Sequence, residues 1–189
     1  MGKLKHKGIR ELFDKSPVVD FASVNRAVKG YSKQLIRNLV LQGKAKKLAK
    51  GCYTKYDEPS LAVFCFKPAY LGLQDAMSHH ELWEQETIPV IITARKVRSG
   101  IRQVMGGNVL VRRVFPEYLF GYEPVKEGEF FLPYSDVEKT LIDMVYFKER
   151  IGALSNFKKR IDRKKLERYL GKYPIKFRKR VFGILSEKS

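Results

Sequence analysis

Residues 21–56, FASVNRAVKGYSKQLIRNLVLQGKAKKLAKGCYTKY, hold two helical patterns, FASVNRAVKG and YSKQLIRNLVLQGK, then two short runs, AKKLAK and CYTKY, hinged at Lys50-Gly51. Two helices and a tight hairpin in this order read as a winged helix-turn-helix, and the polarity and charge of the segment point to duplex DNA. In the second helix Leu35, Ile36, Leu39 and Val40 fall on one side, and Lys33, Gln34, Arg37, Asn38 and Leu41 on the other. Ser32 is placed as N-cap and Gly43 as C-terminal stop, which makes the helix about three turns long.

The outward residues suggest what the helix reads. Arginine donates in pairs to guanine, and Asn and Gln do the same for adenine, so Lys33, Gln34, Arg37 and Asn38 are the candidate base readers. Leu41 suits a thymine methyl. A solvated helix face would also be polar, but the hairpin favours the binding reading, because lysines follow directly at 44, 46, 47 and 50. Lys44, Lys46, Lys47 and Lys50, with Ser32, are therefore the candidate phosphate-backbone contacts.

Charge is divided unevenly along the chain. Residues 1–58 hold 14 Lys and Arg against 5 Asp and Glu, residues 59–150 hold 11 against 12, and residues 151–189 hold 13 against 3. The formal charge of +18 thus sits at the two ends, the pattern of a nucleic-acid footprint rather than of general solubility. It does not separate DNA from RNA.

The composition of 44% hydrophobic and 12% aromatic residues in 189 is enough for real cores. The start MGKLKHKGIRELF lacks the apolar stretch of a signal peptide and no segment has the length of a membrane span, so the expected location is cytoplasmic and no membrane partner is expected. Cys52 and Cys65 have no CxxC companion and read as small packing residues, neither a zinc site nor a disulfide framework.

Residues 4–13 place Leu4, Ile9, Leu12 and Phe13 on a helical stripe, and Asp57-Glu58-Pro59-Ser60 marks a boundary. Beyond it, Tyr70 to Trp83 gives a helical pattern, and strand-like runs follow at IPVIITA, IRQVM, GNVLVRRVF, YLFGYE and GEFFLPY, read as antiparallel. Ser135 and Glu138 fit a capping box, opening a helix with Leu141, Ile142, Val145 and Tyr146 on its core stripe. At the C-terminus Asp162 caps one amphipathic helix, and Phe177, Val181, Phe182 and Leu185 mark another after Gly171 and Pro174. Their apolar stripes pack either on the middle segment or on another chain.

The fold expected is α+β. An N-terminal winged helix-turn-helix (1–58) precedes a small mixed α/β domain with antiparallel strands (59–150) and basic C-terminal amphipathic helices (151–189).

The basic helix-turn-helix and wing, followed by YLGLQDAMSHHELWEQ (70–85), VIITARKVRSG (90–100), EYLFGYE (117–123) and SDVEKTLIDMVYF (135–147), resembles the AbiEi-like antitoxin and transcriptional-regulator family. That resemblance implies a DNA-binding repressor of its own operon, with a nucleotidyltransferase toxin encoded nearby; self-association on DNA is expected separately, because a lone winged domain has a small interface. His79-His80-Glu81 departs from the family's histidine or tyrosine followed by glycine. A ribonucleoprotein component gripping RNA with its basic ends is the alternative.

No catalytic or cofactor site is expected. His79, His80, Glu81, Glu84 and Glu86 form a dense group of metal-ligand types, but only His80 and Glu84 share a helical face and no HExxH spacing occurs. Asp136, Glu138, Lys139 and Asp143 echo a nuclease cluster, yet capping and an i,i+4 pair of Lys139 with Asp143 account for them. Arg95, Lys96, Arg98, Arg102, Arg112 and Arg113 on or between the strands read first as edge protection. Together with Arg163, Lys164, Arg178 and Lys179 of the C-terminal helices, they are alternatively a second basic surface.

Overall fold

The computed structural model describes residues 2–28, 30–152 and 154–186, with side chains from Gly8 onward. Its first unit comprises α1 (Gly2–Lys15), β1 (Val19–Asp20), α2 (Phe21–Ala27), α3 (Ser32–Leu41), β2 (Lys46–Ala49) and β3 (Cys52–Thr54). Ile9 and Phe13 of α1, Val24 of α2, and Leu35 and Ile36 of α3 close one core, with Leu12 and Leu39 packed against it. The side chain of Leu4 lies outside those described.

Local chemistry sets the ends of these helices. The Asp20 carboxylate accepts from the Ser23 amide at 2.7 Å and starts α2. Gly43 has φ +68°, and the amides of Gly43 and Lys44 donate to the carbonyls of Val40 and Leu39, so α3 stops in a left-handed turn that only glycine enters without strain. At its start the residue outside α3 is Tyr31 rather than Ser32. Ser32 lies inside the first turn, 5% exposed, and its hydroxyl donates to Asn25 Oδ1 at 2.8 Å; it is neither the N-cap nor an accessible phosphate donor.

The three strands pair antiparallel in the order β1-β3-β2. β1 is too short, two residues, to have shown a pattern of its own. Between Lys47 and Ala49 the β2–β3 register shifts, and Leu48 at that bulge is buried in the core of the second unit. The hairpin is therefore seated on its neighbour, not projecting free.

A 3-10 helix (Pro59–Phe66), β4 (Ala69–Leu71), α4 (Leu73–His79), β5 (Val90–Thr93), β6 (Gly100–Val104), β7 (Gly107–Arg113), β8 (Tyr122–Glu127), β9 (Phe130–Ser135) and α5 (Val137–Tyr146) build the second unit. The helix expected from Tyr70 is shorter, because Tyr70 belongs to β4. The strands form one six-stranded sheet, β6-β7-β5-β4-β9-β8. It is mixed rather than antiparallel throughout, since β5 pairs parallel with β7 and β4 parallel with β9. Both faces are covered, which explains the continuous apolar run of β5: Val90 and Ile92 point to one core, and Ile91 to the other.

The C-terminal helices α6 (Leu154–Arg160), α7 (Arg163–Leu170) and α8 (Ile175–Ser186) share the first of those cores through Phe157, Leu166, Leu170 and Val181. Their apolar stripes thus pack on the middle segment. The opposite face of the sheet takes the 3-10 helix and Leu48 of the hairpin.

Cys52 of β3 and Cys65 of the 3-10 helix form a disulfide, with Cα atoms 6.0 Å apart. The packing role read for them from the sequence is corrected: the thirteen-residue spacing fits no standard framework, and only the docking of the hairpin on the second unit brings the two together.

Candidate nucleic-acid interface

The outward face of α3 is as its periodicity requires. Lys33, Gln34, Arg37, Asn38 and Leu41 are exposed, Leu41 to 75%, and Gln34 Nε2 donates to Asn38 Oδ1 at 3.1 Å. Val40, read as inward, is 38% exposed, at the edge of the buried stripe. The hairpin borders this face. Lys33, Arg37 and Leu41 of α3 and Lys47 and Tyr53 of the hairpin line one hollow of about 350 Å³.

Among the other candidate backbone residues, Lys44, Lys47 and Lys50 are exposed. Lys46 is half-buried and pairs with Asp57. Gly51 at the hairpin tip has φ +75° and its carbonyl accepts from the Phe21 amide at 2.8 Å, tying the tip to the start of α2.

The second set of basic residues is not one surface. Arg95, Lys96 and Arg98 are exposed in the segment between β5 and β6, with Arg95 Nη1 donating to the Cys65 carbonyl at 2.7 Å. Arg112 is half-buried, pairs with Glu149, and lies over the Phe147 ring at 5.8 Å, so it serves packing. Arg113 is exposed at the end of β7. On the other face of the sheet, Arg163, Lys164 and Lys179 are exposed, whereas Arg178 donates to the carbonyls of Tyr173 and Gly171 at 2.7 and 2.8 Å and closes the end of α7. Arg102 lines one of the hollows beside the hairpin, and a further cation, Lys67, lines the other. Lys67 gave no signal in the sequence, since it stands alone in an apolar run and meets the hairpin only in three dimensions.

The residues that resembled enzyme groups have structural partners. The N-cap of α5 is Asp136, whose carboxylate accepts from the Lys139 amide at 2.8 Å, so the capping box expected at Ser135 and Glu138 does not form. Glu138 instead accepts from the Asp162 amide at 2.8 Å and pairs with Lys165. Lys139 and Asp143 form a wholly buried ion pair. Lys139 Nζ also donates to Tyr173 Oη at 3.2 Å, and Tyr70 Oη donates to Asp143 Oδ2 at 2.6 Å. Burial pushes the Lys139 ammonium down and the Asp143 carboxyl up, and their attraction opposes both shifts. His79 stacks on Tyr134 with ring centroids 4.2 Å apart, and His80 Nε2 lies 2.7 Å from the Ser135 carbonyl. No group of three or more metal-ligand side chains converges among the described residues.

No family model matches the chain, and no curated protein matches it. Among solved structures it is similar to the RV2827C protein from Mycobacterium tuberculosis, with a TM-score of 0.62 and 15% identity over 96% of this chain and 76% of that one. At that identity the likeness is one of fold. The partners expected from the sequence are corrected accordingly. The duplex was expected from the helix-turn-helix segment, self-association on DNA from the small interface of one such segment, and the nucleotidyltransferase toxin from the family resemblance. With neither family model nor curated protein matching, none of them is retained. Among the described residues no helix is long and apolar enough to cross a membrane.

Proposed function

We propose that this chain is a sequence-reading, nucleic-acid-binding regulator of transcription whose first unit is a winged helix-turn-helix. The observation that carries the reading is the hollow in which Lys33, Arg37 and Leu41 of α3 face Lys47 and Tyr53 of the hairpin. A helix presenting paired donors beside a lysine-bearing hairpin joins base-edge contact to backbone contact. The element order α1-β1-α2-α3-β2-β3 and the β1-β3-β2 sheet support it. Membership of the AbiEi-like family belongs to this proposal and rests on the order of its motifs. A cytoplasmic location belongs to it as well. The Cys52–Cys65 bond bears against that location, because thiol pairs persist mainly where the compartment does not reduce them.

The test is fluorescence anisotropy with a duplex selected from a randomised pool, its scrambled counterpart and a structured RNA, at two salt concentrations. Preference for the selected duplex that survives the higher salt is expected. Arg37→Ala should weaken that duplex by about 1–3 kcal/mol and relax preference at one position, while Lys47→Ala weakens all sequences alike. Equal loss on selected and scrambled duplexes for both variants would count against base reading by α3, and tighter binding to the RNA would replace the reading with the ribonucleoprotein one.

A further inference from the structure

Two hollows of about 590 and 580 Å³ lie between the hairpin and the second unit and share Lys50, Cys65 and Arg95 in their linings. Their cations come from both units: Lys47 and Lys50 from the hairpin, Lys67, Arg95 and Arg102 from the second unit. Asp20 is the single acid among the linings of the two. It already accepts from the Ser23 amide, and neither Lys47 nor Lys50 has an ion-pair partner among the described residues. β2 lies against β6, which places Lys47 beside the strand that carries Arg102. Lys47 also lines the hollow at α3. One side chain thus joins the α3 face to the cleft.

We infer that this cleft is a second phosphate-backbone site, which takes the continuation of the nucleic acid held at α3. The inference rests on the reading of α3 given above and extends it: contact passes from α3 over Lys47 to Arg95 and Arg102, on a unit that carries no net positive charge of its own. Charge complementarity selects the occupant, because cations without acidic partners facing one another across a cleft repel until a polyanion lies between them. The Cys52–Cys65 bond lines one of the two hollows and ties the hairpin to the second unit there. The C-terminal helices cover the other face of the sheet and take no part.

The decisive comparison is the salt dependence of binding for wild type, Arg95→Ala/Arg102→Ala, and Lys176→Ala/Arg180→Ala. The last pair removes the same charge from the exposed surface of α8. Loss of two phosphate contacts lowers the slope of log affinity against log salt by about 1.8, so the wild-type advantage shrinks roughly tenfold between 50 and 200 mM salt. The cleft pair should show this on selected and scrambled duplexes alike, the α8 pair should not, and Arg95→Lys/Arg102→Lys should restore most of the slope. Thermal melting of each variant confirms that it is folded. Equal slopes for wild type and a folded cleft variant would overturn the inference while leaving α3 as reader. Equal losses for the cleft and α8 pairs would overturn it in favour of diffuse attraction. Absence of binding by wild type itself would instead remove the reading on which it rests.

Discussion

Asp75 illustrates how one residue couples packing to pH. It sits in α4 with its carboxylate accepting from the Val90 amide at 3.1 Å and the Tyr134 hydroxyl at 3.4 Å, and loss of hydration pushes its pKa up to about 7. Below that pH the folded chain holds a proton that the unfolded chain releases in the ordinary carboxylate range. The folded state therefore binds more protons between the two values, and stability falls as pH rises through that window, by up to about 1.4 kcal/mol per pH unit. Asp75→Asn keeps an acceptor and removes the titration. Its denaturation free energy should lose this slope between about pH 4 and 7, and an unchanged profile would show that Asp75 does not carry it. Gly121 is a second single-residue constraint: at φ +70° a Cβ there would lie 2.8 Å from Tyr169 Cε2 and 2.9 Å from Lys139 Cβ. Gly121→Ala should cost about 2 kcal/mol or more, read by chemical denaturation.

Among the elements, α5 is the one whose failure would spread furthest. It runs through the main core and is buried from Glu138 to Val145, including the Lys139–Asp143 pair. Tyr70, Phe120 and Tyr173 surround the ammonium with ring centroids at 5.8, 5.1 and 5.9 Å, so the pair has aromatic faces and two hydroxyls in place of water. Lys139→Met strands a buried carboxylate and should destabilise by about 3–5 kcal/mol. Lys139→Met/Asp143→Asn should cost less than the single change, and a larger loss in the double variant would contradict the account. The hairpin depends on a different device. Its turn is held by Gly51, its bulge buries Leu48, and its β3 strand is cross-linked through Cys52. Replacing both cysteines with alanine should lower stability by about 2–3 kcal/mol, checked by urea denaturation beside a thiol count of the untreated protein.

In the whole molecule, the two faces of the six-stranded sheet have different duties. One carries α4 to α8 and the larger core; the other receives the first unit through Leu48 and the disulfide. This arrangement sets a segment of near-neutral charge against the lysines of the hairpin, so that Arg95 and Arg102 line a cleft that Lys47 joins to the hollow at α3. The near balance of 11 bases and 12 acids along residues 59–150 did not reveal this, because charge counted along a chain ignores which face of a sheet each side chain takes.

The sequence by itself determined the local features. The inward and outward faces of α3, its glycine stop, the hairpin at Lys50-Gly51, the strands rich in Val and Ile, and the helix after Asp162 all follow from periodicity and capping within a few residues. Only the tertiary structure decided what depends on distant partners: that Glu138 turns to the Asp162 amide and Lys165, that the sheet is mixed, that Ser32 turns inward to Asn25, that Cys52 meets Cys65, and that the hairpin and the second sheet share a cationic cleft. Each is a contact between segments far apart along the chain or facing across a packed surface, where propensity is silent and burial selects the partner.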